Sequence, residues 1–329
     1  MSIEKYPVEI STVARNNHLR PNTLEKQYKE SLCEYYPKHN KERESYAKET
    51  FVFPENFGPN MAIDETGLVN GELYTIVLNK DARGRKGSIA ALIKGTKGKD
   101  IASAITNAVP FSTRMKIKEI TLDMANNMDW IVRQIAPNAI RTYDRFHVQQ
   151  IVSDAVQTIR IHHRWEAIDQ ENEASALAKE HGVNYNPKIF ANGDTKKQLL
   201  ARSRYFLFKS QDKWTDTQKT RAKILFAQYP IIATAYKFYI QFRNCYIYNN
   251  NKNNFSQWIK AAYKSGIKEV ISAANTIESH LTGIENYFIN RASNAAIEGF
   301  HAKLKLFRQR IRGINDKDFF FFRILQYYA

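Results

Sequence analysis

The order of secondary structure between residues 60 and 150 constrains the fold more than any other feature of this chain. Three apolar runs come first, and short polar turns separate them, so we predict strands at 61–64, 72–78 and 88–93. The pattern then alternates as helix, strand, helix, strand, over 101–109, 119–122, 127–135 and 139–143. Consecutive strands are typical of an antiparallel meander, whereas strands that alternate with helices are typical of a parallel sheet.

This order is that of a ribonuclease H-like α/β fold, whose first and fourth strands lie side by side in a mixed sheet. Asp64 closes the apolar run of the first predicted strand, and Asp123 closes that of the fourth. A third acid, Glu298, lies inside a long amphipathic helix predicted over 294–312. Carboxylates on separate elements can converge on divalent metal ions, and two such ions can cut and join phosphodiesters.

The composition favours a nucleic acid as the partner of this chain. Its formal net charge is +16, from 49 Lys and Arg against 33 Asp and Glu, and such an excess attracts polyanions. The two cysteines, Cys33 and Cys245, form no Cys-x-x-Cys, which excludes a disulfide framework and a Cys-rich zinc site. The sequence has no apolar run of membrane-spanning length and no signal peptide, so we expect a cytoplasmic protein without a membrane partner.

Four regions follow from the pattern along the chain. Residues 1–52 are expected to be helical, with the outline of a helix-turn-helix (or of a plain helical hairpin) over 10–28 and a charged linker over 38–48. Strand signals nearly vanish over 151–285, a stretch too long for a loop, so we predict an all-helical insertion there. The catalytic core then comprises 53–150, and 286–329 supplies the helix that carries the glutamate and a C-terminal helix.

Two stripes run along the predicted helix at 294–312. The first is apolar and is expected to pack on the sheet; it consists of Ile297, Phe300, Leu304, Phe307 and Ile311. The second begins with an acid and continues with basic residues; it consists of Glu298, His301, Lys305, Arg308 and Arg312. A solvated structural helix more often intersperses its Glu with Lys and Arg. We therefore predict that a metal site adjoins a DNA path, with His301, Lys305, Arg308 and Arg312 as DNA contacts.

Several ordered motifs of this chain resemble those of one protein family. They are Ile63-Asp64-Glu65-Thr66, Leu122-Asp123-Met124, Asp144-Arg145-Phe146-His147 and Ser293-Asn294-Ala295-Ala296-Ile297-Glu298-Gly299. Together, over about 55–329, they resemble the bacterial insertion-sequence transposases of the DDE type, and within them the ISL-three group. The resemblance implies Mg²⁺-dependent cleavage at element ends by water, followed by attack of the freed 3′-hydroxyl on target DNA. It also implies two ions (with Mn²⁺ as a substitute), double-stranded DNA as partner, and a homo-oligomer on that DNA in the bacterial nucleoid.

The family's site residues map onto this sequence by motif. Asp64 and Asp123 match its two catalytic, metal-binding aspartates, and Glu298 matches its glutamate. Asp144 and His147 match an accessory D-x-x-H signature. Asp144 has two other interpretations, as the second metal-binding acid or as a cap of the following helix. We prefer Asp123 as the second acid because it ends the fourth predicted strand.

One departure from the family pattern concerns the N-terminus. Many relatives carry a Cys-rich zinc-binding segment before their helix-turn-helix, and this chain has no such cysteines. Recognition of DNA ends is therefore expected to need a separately encoded partner or a longer N-terminus. Two other functions remain compatible with the sequence: a ribonuclease H-like nuclease that cuts without joining, and a DNA-binding protein with a silent catalytic domain.

Overall fold

The chain folds as two units, which the computed structural model describes over residues 8–247, 253–310 and 316–329. The first unit extends to Arg145 and resumes at Glu285, and the second is Phe146–Ile284. The second unit thus interrupts the first in sequence. The first unit contains a six-stranded mixed sheet and helices, and the part of the second that is described is helical.

The sheet has the predicted ribonuclease H-like order. Its strands are β1 (Thr50–Val52), β2 (Asn60–Val69), β3 (Glu72–Asn79), β4 (Ile89–Lys94), β5 (Glu119–Leu122) and β6 (Ile140–Tyr143). They lie in the order β1-β4-β3-β2-β5-β6. The pairs among β1 to β4 are antiparallel, whereas β2–β5 and β5–β6 are parallel. The fold class predicted from the sequence is therefore confirmed, with β1 as an addition at one edge.

The register of β2 and β5 decides where the two aspartates lie. Ala62 of β2 is opposite Thr121 of β5, and the strands are parallel. Asp64 lies two residues after Ala62 in β2, and Asp123 lies two residues after Thr121, just beyond the end of β5. The two acids therefore lie at the same level of the sheet. All four residues of β5 are buried, as expected for a parallel strand covered on both faces.

Short helices surround the sheet in the first unit. They are α1 (Ile10–Asn16), α2 (Pro21–Gln27), α3 (Tyr35–Lys41), α4 (Arg43–Lys48), α5 (Gly98–Ala108), α6 (Phe111–Arg114) and α7 (Asn126–Ile135). The segment 38–48, predicted as a charged linker, is helical, because α3 and α4 occupy it. Tyr35 and Tyr46 are buried there against the C-terminal helix and β1 and fix this segment in the core.

Two helices after residue 290 complete the first unit. They are α16 (Ala295–Arg310) and α17 (Lys317–Tyr328), numbered after the helices of the second unit. The predicted apolar stripe of α16 is buried in the main hydrophobic core at Ile297, Phe300, Leu304 and Phe307. Its fifth member, Ile311, lies outside the described residues. This burial holds α16 against the sheet and so fixes the helix that carries Glu298.

The second unit consists of helices that begin with one of 36 residues, α8 (Arg145–Glu180). The others are α9 (Lys196–Arg202), α10 (Asp216–Gln228), α11 (Pro230–Ile247), α12 (Asn253–Tyr263), α13 (Lys268–Ser279) and α14 (Leu281–Glu285), and α15 (Tyr287–Asn290) follows in the first unit. Trp214 and Trp258 are buried, and each donates its indole N–H to a backbone carbonyl at 2.9 Å. Throughout the described ranges, no helix is long and apolar enough to cross a membrane.

A buried carboxylate organises the start of α9. The side chain of Asp194 has no solvent exposure and accepts hydrogen bonds from Arg221 at 2.6 Å, from Asn192 at 2.8 Å and from Arg202. Burial alone would raise the pKa of Asp194, but the hydrogen bonds and charges of Arg221 and Arg202 outweigh it and hold that pKa below its ordinary value. The carboxylate therefore joins the loop before α9 to α9 itself and to α10.

Candidate functional site

The first acid of the site lies inside a strand and not at its end. β2 was expected to stop at Asp64, but it continues to Val69, and Asp64 pairs with Ile76 of β3. The Asp64 side chain is partly exposed, and its Oδ1 accepts the backbone N–H of Glu65 at 2.8 Å. Pairing with β3 extends the strand, whereas Glu65, Thr66 and Gly67, which follow Asp64, give no strand signal on their own.

The second acid lies immediately after β5. Asp123 Oδ1 accepts the backbone N–H of Ala125 at 2.9 Å, an Asx-type contact that turns the chain into α7. Its side chain is partly exposed. Glu65 reports on the proximity of the acids: burial raises the pKa of Glu65, and the charges of Asp123 and Asp64 raise it further. Asp64, Glu65 and Asp123 are therefore close enough to interact.

Helix α16 is held along β2 at two points. His301 Nδ1 lies 3.6 Å from Asp64 Oδ2, and Arg308 Nη1 donates to the carbonyl of Leu68 at 3.0 Å. Both contacts advance in the same chain direction, so α16 and β2 run in the same direction. The lengths between the contacts are similar, because the seven residues from His301 to Arg308 rise about 10 Å along a helix and the four from Asp64 to Leu68 about 13 Å along a strand. Glu298 is exposed in the first turn of α16, three residues before His301 and on the same helix face. Glu298 therefore lies one helical turn before the residue of α16 that contacts Asp64.

His301 is a buried neutral group beside the acids. Burial, together with the charge of Lys305, lowers the pKa of His301 to about 4, so the imidazole is uncharged at neutral pH. Its contact with Asp64 is therefore not an ion pair under those conditions. Within the described part of the chain, His301 Nε2 is buried and has no hydrogen-bond partner. His301 presents no cation to solvent and does not belong to the exposed basic stripe.

Asp144 has a different environment from the other acids. It follows β6 and is buried, and its Oδ1 accepts the backbone N–H of Asn294 at 3.2 Å. The carbonyl of Asn294 in turn accepts the N–H of Glu298 at 2.9 Å, the first bond of α16. Asp144 thus attaches the beginning of the Glu298 helix to the end of β6. The sequence gives Asn294 a place in the motif but no such role, because the contact joins residues 150 positions apart.

The comparisons with known proteins agree with this geometry. A family model described as a transposase, of the ISL-three group of DDE transposases, matches residues 61–324. The chain belongs to this family. The transposase of insertion sequence element IS1001 from Bordetella parapertussis is 22% identical over 269 residues, which cover 80% of this chain and 59% of that protein. The transposase of IS1557 from Mycobacterium tuberculosis is 24% identical over 259 residues, or 75% of this chain and 54% of that one. The chain thus spans between half and three fifths of the length of these relatives.

The remaining predicted site residues differ in exposure and in the unit to which they belong. Lys305 is exposed one turn after His301, and Arg308 is exposed except for its bond to Leu68. Arg312 lies outside the described residues. His147 is half-buried in the first turn of α8, and its side chain belongs to the second unit. Of the predicted stripe, Lys305 and Arg308 are therefore the cations that are exposed to solvent within the described residues.

The donor chemistry of the acids fits a hard divalent cation, as family membership implies. Carboxylate oxygens are the preferred ligands of such cations, and a cation would offset both the burial and the neighbouring acid charges that raise the pKa of Glu65. Among the residues that the structure describes, no three His, Cys, Asp or Glu side chains are close enough to hold a metal ion as they stand. Asp64 and Asp123, each held by a backbone N–H, would supply two carboxylates to such a site, and the exposed Glu298 would supply a third.

Proposed function

We propose that this chain performs the catalytic steps of DNA transposition: cleavage at insertion-sequence ends and strand transfer into target DNA. The observation that carries the proposal is the convergence of β2, β5 and α16, which brings together the elements of Asp64, Asp123 and Glu298. Membership of the transposase family supports it. Since the chain spans only part of its curated relatives, the activity of the whole protein belongs to the proposal.

Asp64, Asp123 and Glu298 are the metal ligands in this proposal. Two bound Mg²⁺ ions, or Mn²⁺ in their place, would activate water and neutralise the charge on the leaving oxygen. The chain's own contribution is to orient the carboxylates: backbone N–H groups hold Asp64 and Asp123, and α16 presents Glu298. Orientation before the reaction lowers the barrier because little rearrangement remains when the DNA phosphate arrives.

Asp144 acts through α16 in this proposal and is a positioning residue. Its hydrogen bond to Asn294 fixes the turn from which Glu298 projects. His147, three residues later, keeps the supporting role that the D-x-x-H resemblance gives it. Double-stranded DNA is the proposed partner, both as terminal repeats and as target, and the chain is proposed to act on it as a homo-oligomer.

The proposal is tested with a labelled duplex that carries the terminal repeats flanking the gene, incubated with the full chain and Mg²⁺. We expect cleaved ends and joined products, and both are expected to disappear in Asp64→Asn and in Glu298→Gln while DNA binding remains. Cleavage without joining, even from pre-cut ends with a free 3′-hydroxyl, would favour the nuclease alternative. Binding without any chemistry from either substrate would favour a silent catalytic domain.

Lys305 is expected to contact DNA next to the acids. Lys305 is exposed one helical turn after His301, whose Nδ1 lies 3.6 Å from Asp64 Oδ2, so its long side chain is placed to meet a phosphate beside the acids. Lys305→Ser is expected to lower the slope of log affinity against log salt by about 0.9, the value for one lost phosphate contact. The measurement is fluorescence anisotropy across a KCl series. An unchanged slope would remove Lys305 from the DNA path.

A further inference from the structure

A basic groove lies on the first unit, outside the group of acids. Its volume is about 480 Å³, and its walls come from the turn before β4, from α16 and from the end of α17. Four cationic side chains line it: Arg85, Lys86, Lys303 and Arg310. None of the described residues that line the groove is acidic. A concave surface lined by one sign of charge concentrates counter-ions of the other sign, so the groove fits an anionic ligand.

The groove is built from elements that are tied together. Lys303 Nζ donates to the carbonyl of Gly84 at 3.1 Å, which joins α16 to the turn that carries Arg85 and Lys86. Gly84 has φ +68°, and a Cβ there would come within 2.5 Å of Lys303 Nζ. A side chain at position 84 would therefore displace the lysine. The lining also includes Phe307 and Tyr328, which belong to the buried hydrophobic core.

The dimensions of the groove match a polymer of phosphates. Lys303 and Arg310 are seven residues apart on α16 and so about 10 Å apart along its axis, the rise of about three nucleotides of one DNA strand. Lys303 is five residues after Glu298, which places the near end of the groove about 7 Å along the helix from the proposed metal ligand. Five residues also turn about 140° around the helix axis, so the groove lies on another face of α16 from Glu298 and is suited to the DNA that continues beyond the reacting phosphate.

We infer that this groove binds the sugar–phosphate backbone of the DNA duplex that flanks the reacting phosphate. The inference rests on the proposed function and adds Arg85, Lys86, Lys303 and Arg310 to the DNA-contacting residues. Arg85 and Arg310 offer forked guanidinium donors that match phosphate oxygens, and Lys86 and Lys303 add charge. The contacts carry no base-specific readout, since they reach the backbone alone.

The test compares two double variants that remove the same charge. Arg85→Ser/Lys86→Ser removes two cations of the groove, and Lys116→Ser/Lys118→Ser removes two exposed cations just before β5 that do not line the groove. Affinity for a short labelled duplex of arbitrary sequence is measured by anisotropy over a KCl series, with the full chain. The groove variant is expected to lower the log–log salt slope by about 1.8, and the control variant is expected to leave it close to wild type.

A second variant moves a groove charge without removing it. Gly84→Ala keeps the net charge and displaces Lys303, so it is expected to weaken DNA binding while circular dichroism shows a folded chain. Equal slopes for the two double variants, with wild-type binding by Gly84→Ala, would overturn the inference. If the groove variants lose binding to single-stranded RNA but bind duplex DNA as wild type does, the inference is also overturned, because the groove would then serve another polymer.

Failure of the groove and failure of the proposed function give different results. If wild type cuts and joins DNA, Asp64→Asn does not, and the groove variants behave as wild type, the inference about the groove is wrong and the catalytic proposal stands. If wild type binds duplex DNA through the groove but neither cuts nor joins under any metal condition, the groove stands and the catalytic proposal is wrong.

Discussion

Asp123→Asn is expected to reduce Mg²⁺-dependent cleavage and joining by about a thousandfold or more, the effect of losing several kcal/mol of transition-state stabilisation. Asp144→Asn is expected to retain activity within about tenfold of wild type, since outer positioning groups contribute about 10- to 100-fold and this variant keeps the acceptor. The difference follows from their surroundings. Asp123 is partly exposed at the level of Asp64, whereas Asp144 is buried and accepts the N–H of Asn294.

The contrast between two substitutions at position 144 isolates its role. Asn retains a carbonyl oxygen that accepts the Asn294 N–H, whereas Ala leaves that buried donor without a partner, at a cost of about 1–3 kcal/mol. Asp144→Ala is therefore expected to lose about 10- to 100-fold in activity and some stability, with Asp144→Asn restoring both. The assay is the joining of pre-cut labelled ends, with thermal unfolding in parallel.

The opposite result would reassign the second acid. If Asp144→Asn is inactive although folded and DNA-binding, and Asp123→Asn is active, then Asp144 holds the metal and Asp123 serves as the turn residue before α7. Equal inactivity of both variants would place both carboxylates among the reacting groups. Glu65→Gln is a matched control, because Glu65 is next to Asp64 but is not one of the proposed metal ligands.

The sequence predicted the fold of the first unit well because local patterns and chain order were sufficient. The buried run of β5 and the amphipathic stripe of α16 are read directly from periodicity, and the structure confirms both elements. The short edge strand β1 was missed because its three residues give no alternation. It forms by pairing Thr50 with Ile93, a contact that exists only after the rest of the sheet has assembled.

The site illustrates the same limit at the level of side chains. Helical spacing grouped His301 and Arg308 with the exposed basic stripe, but the structure buries His301 beside Asp64 and ties Arg308 to Leu68. These contacts depend on which strand α16 lies against, and a single helix does not encode that choice. The groove cations Arg85 and Lys303 escaped notice for the same reason, since one belongs to a turn and the other to a helix about 220 residues later in the chain.

Asp194→Ala is expected to destabilise the helical unit by about 3 kcal/mol, because it leaves Arg202 and Arg221 without the buried carboxylate they share. Chemical denaturation followed by tryptophan fluorescence reports this change, since three of the four tryptophans, Trp165, Trp214 and Trp258, lie in that unit. The exposed Asp216, which pairs with Lys219 at the surface, provides the control. Asp216→Ala is expected to leave the unfolding midpoint nearly unchanged.

The pH dependence of the same contact gives a sharper test, because its sign is fixed. The pKa of Asp194 is lower in the folded chain than its ordinary value of about 3.9, so the carboxylate stabilises the folded state fully above that pH. As pH falls through the lower folded pKa, the carboxylate takes up a proton and the contribution is lost. The stability difference between wild type and Asp194→Asn is therefore expected to be constant from pH 7 to about pH 5 and to shrink below about pH 4. A difference that does not change down to pH 3 would show that the charge of Asp194 contributes nothing and that its hydrogen bonds alone hold α9 and α10 together.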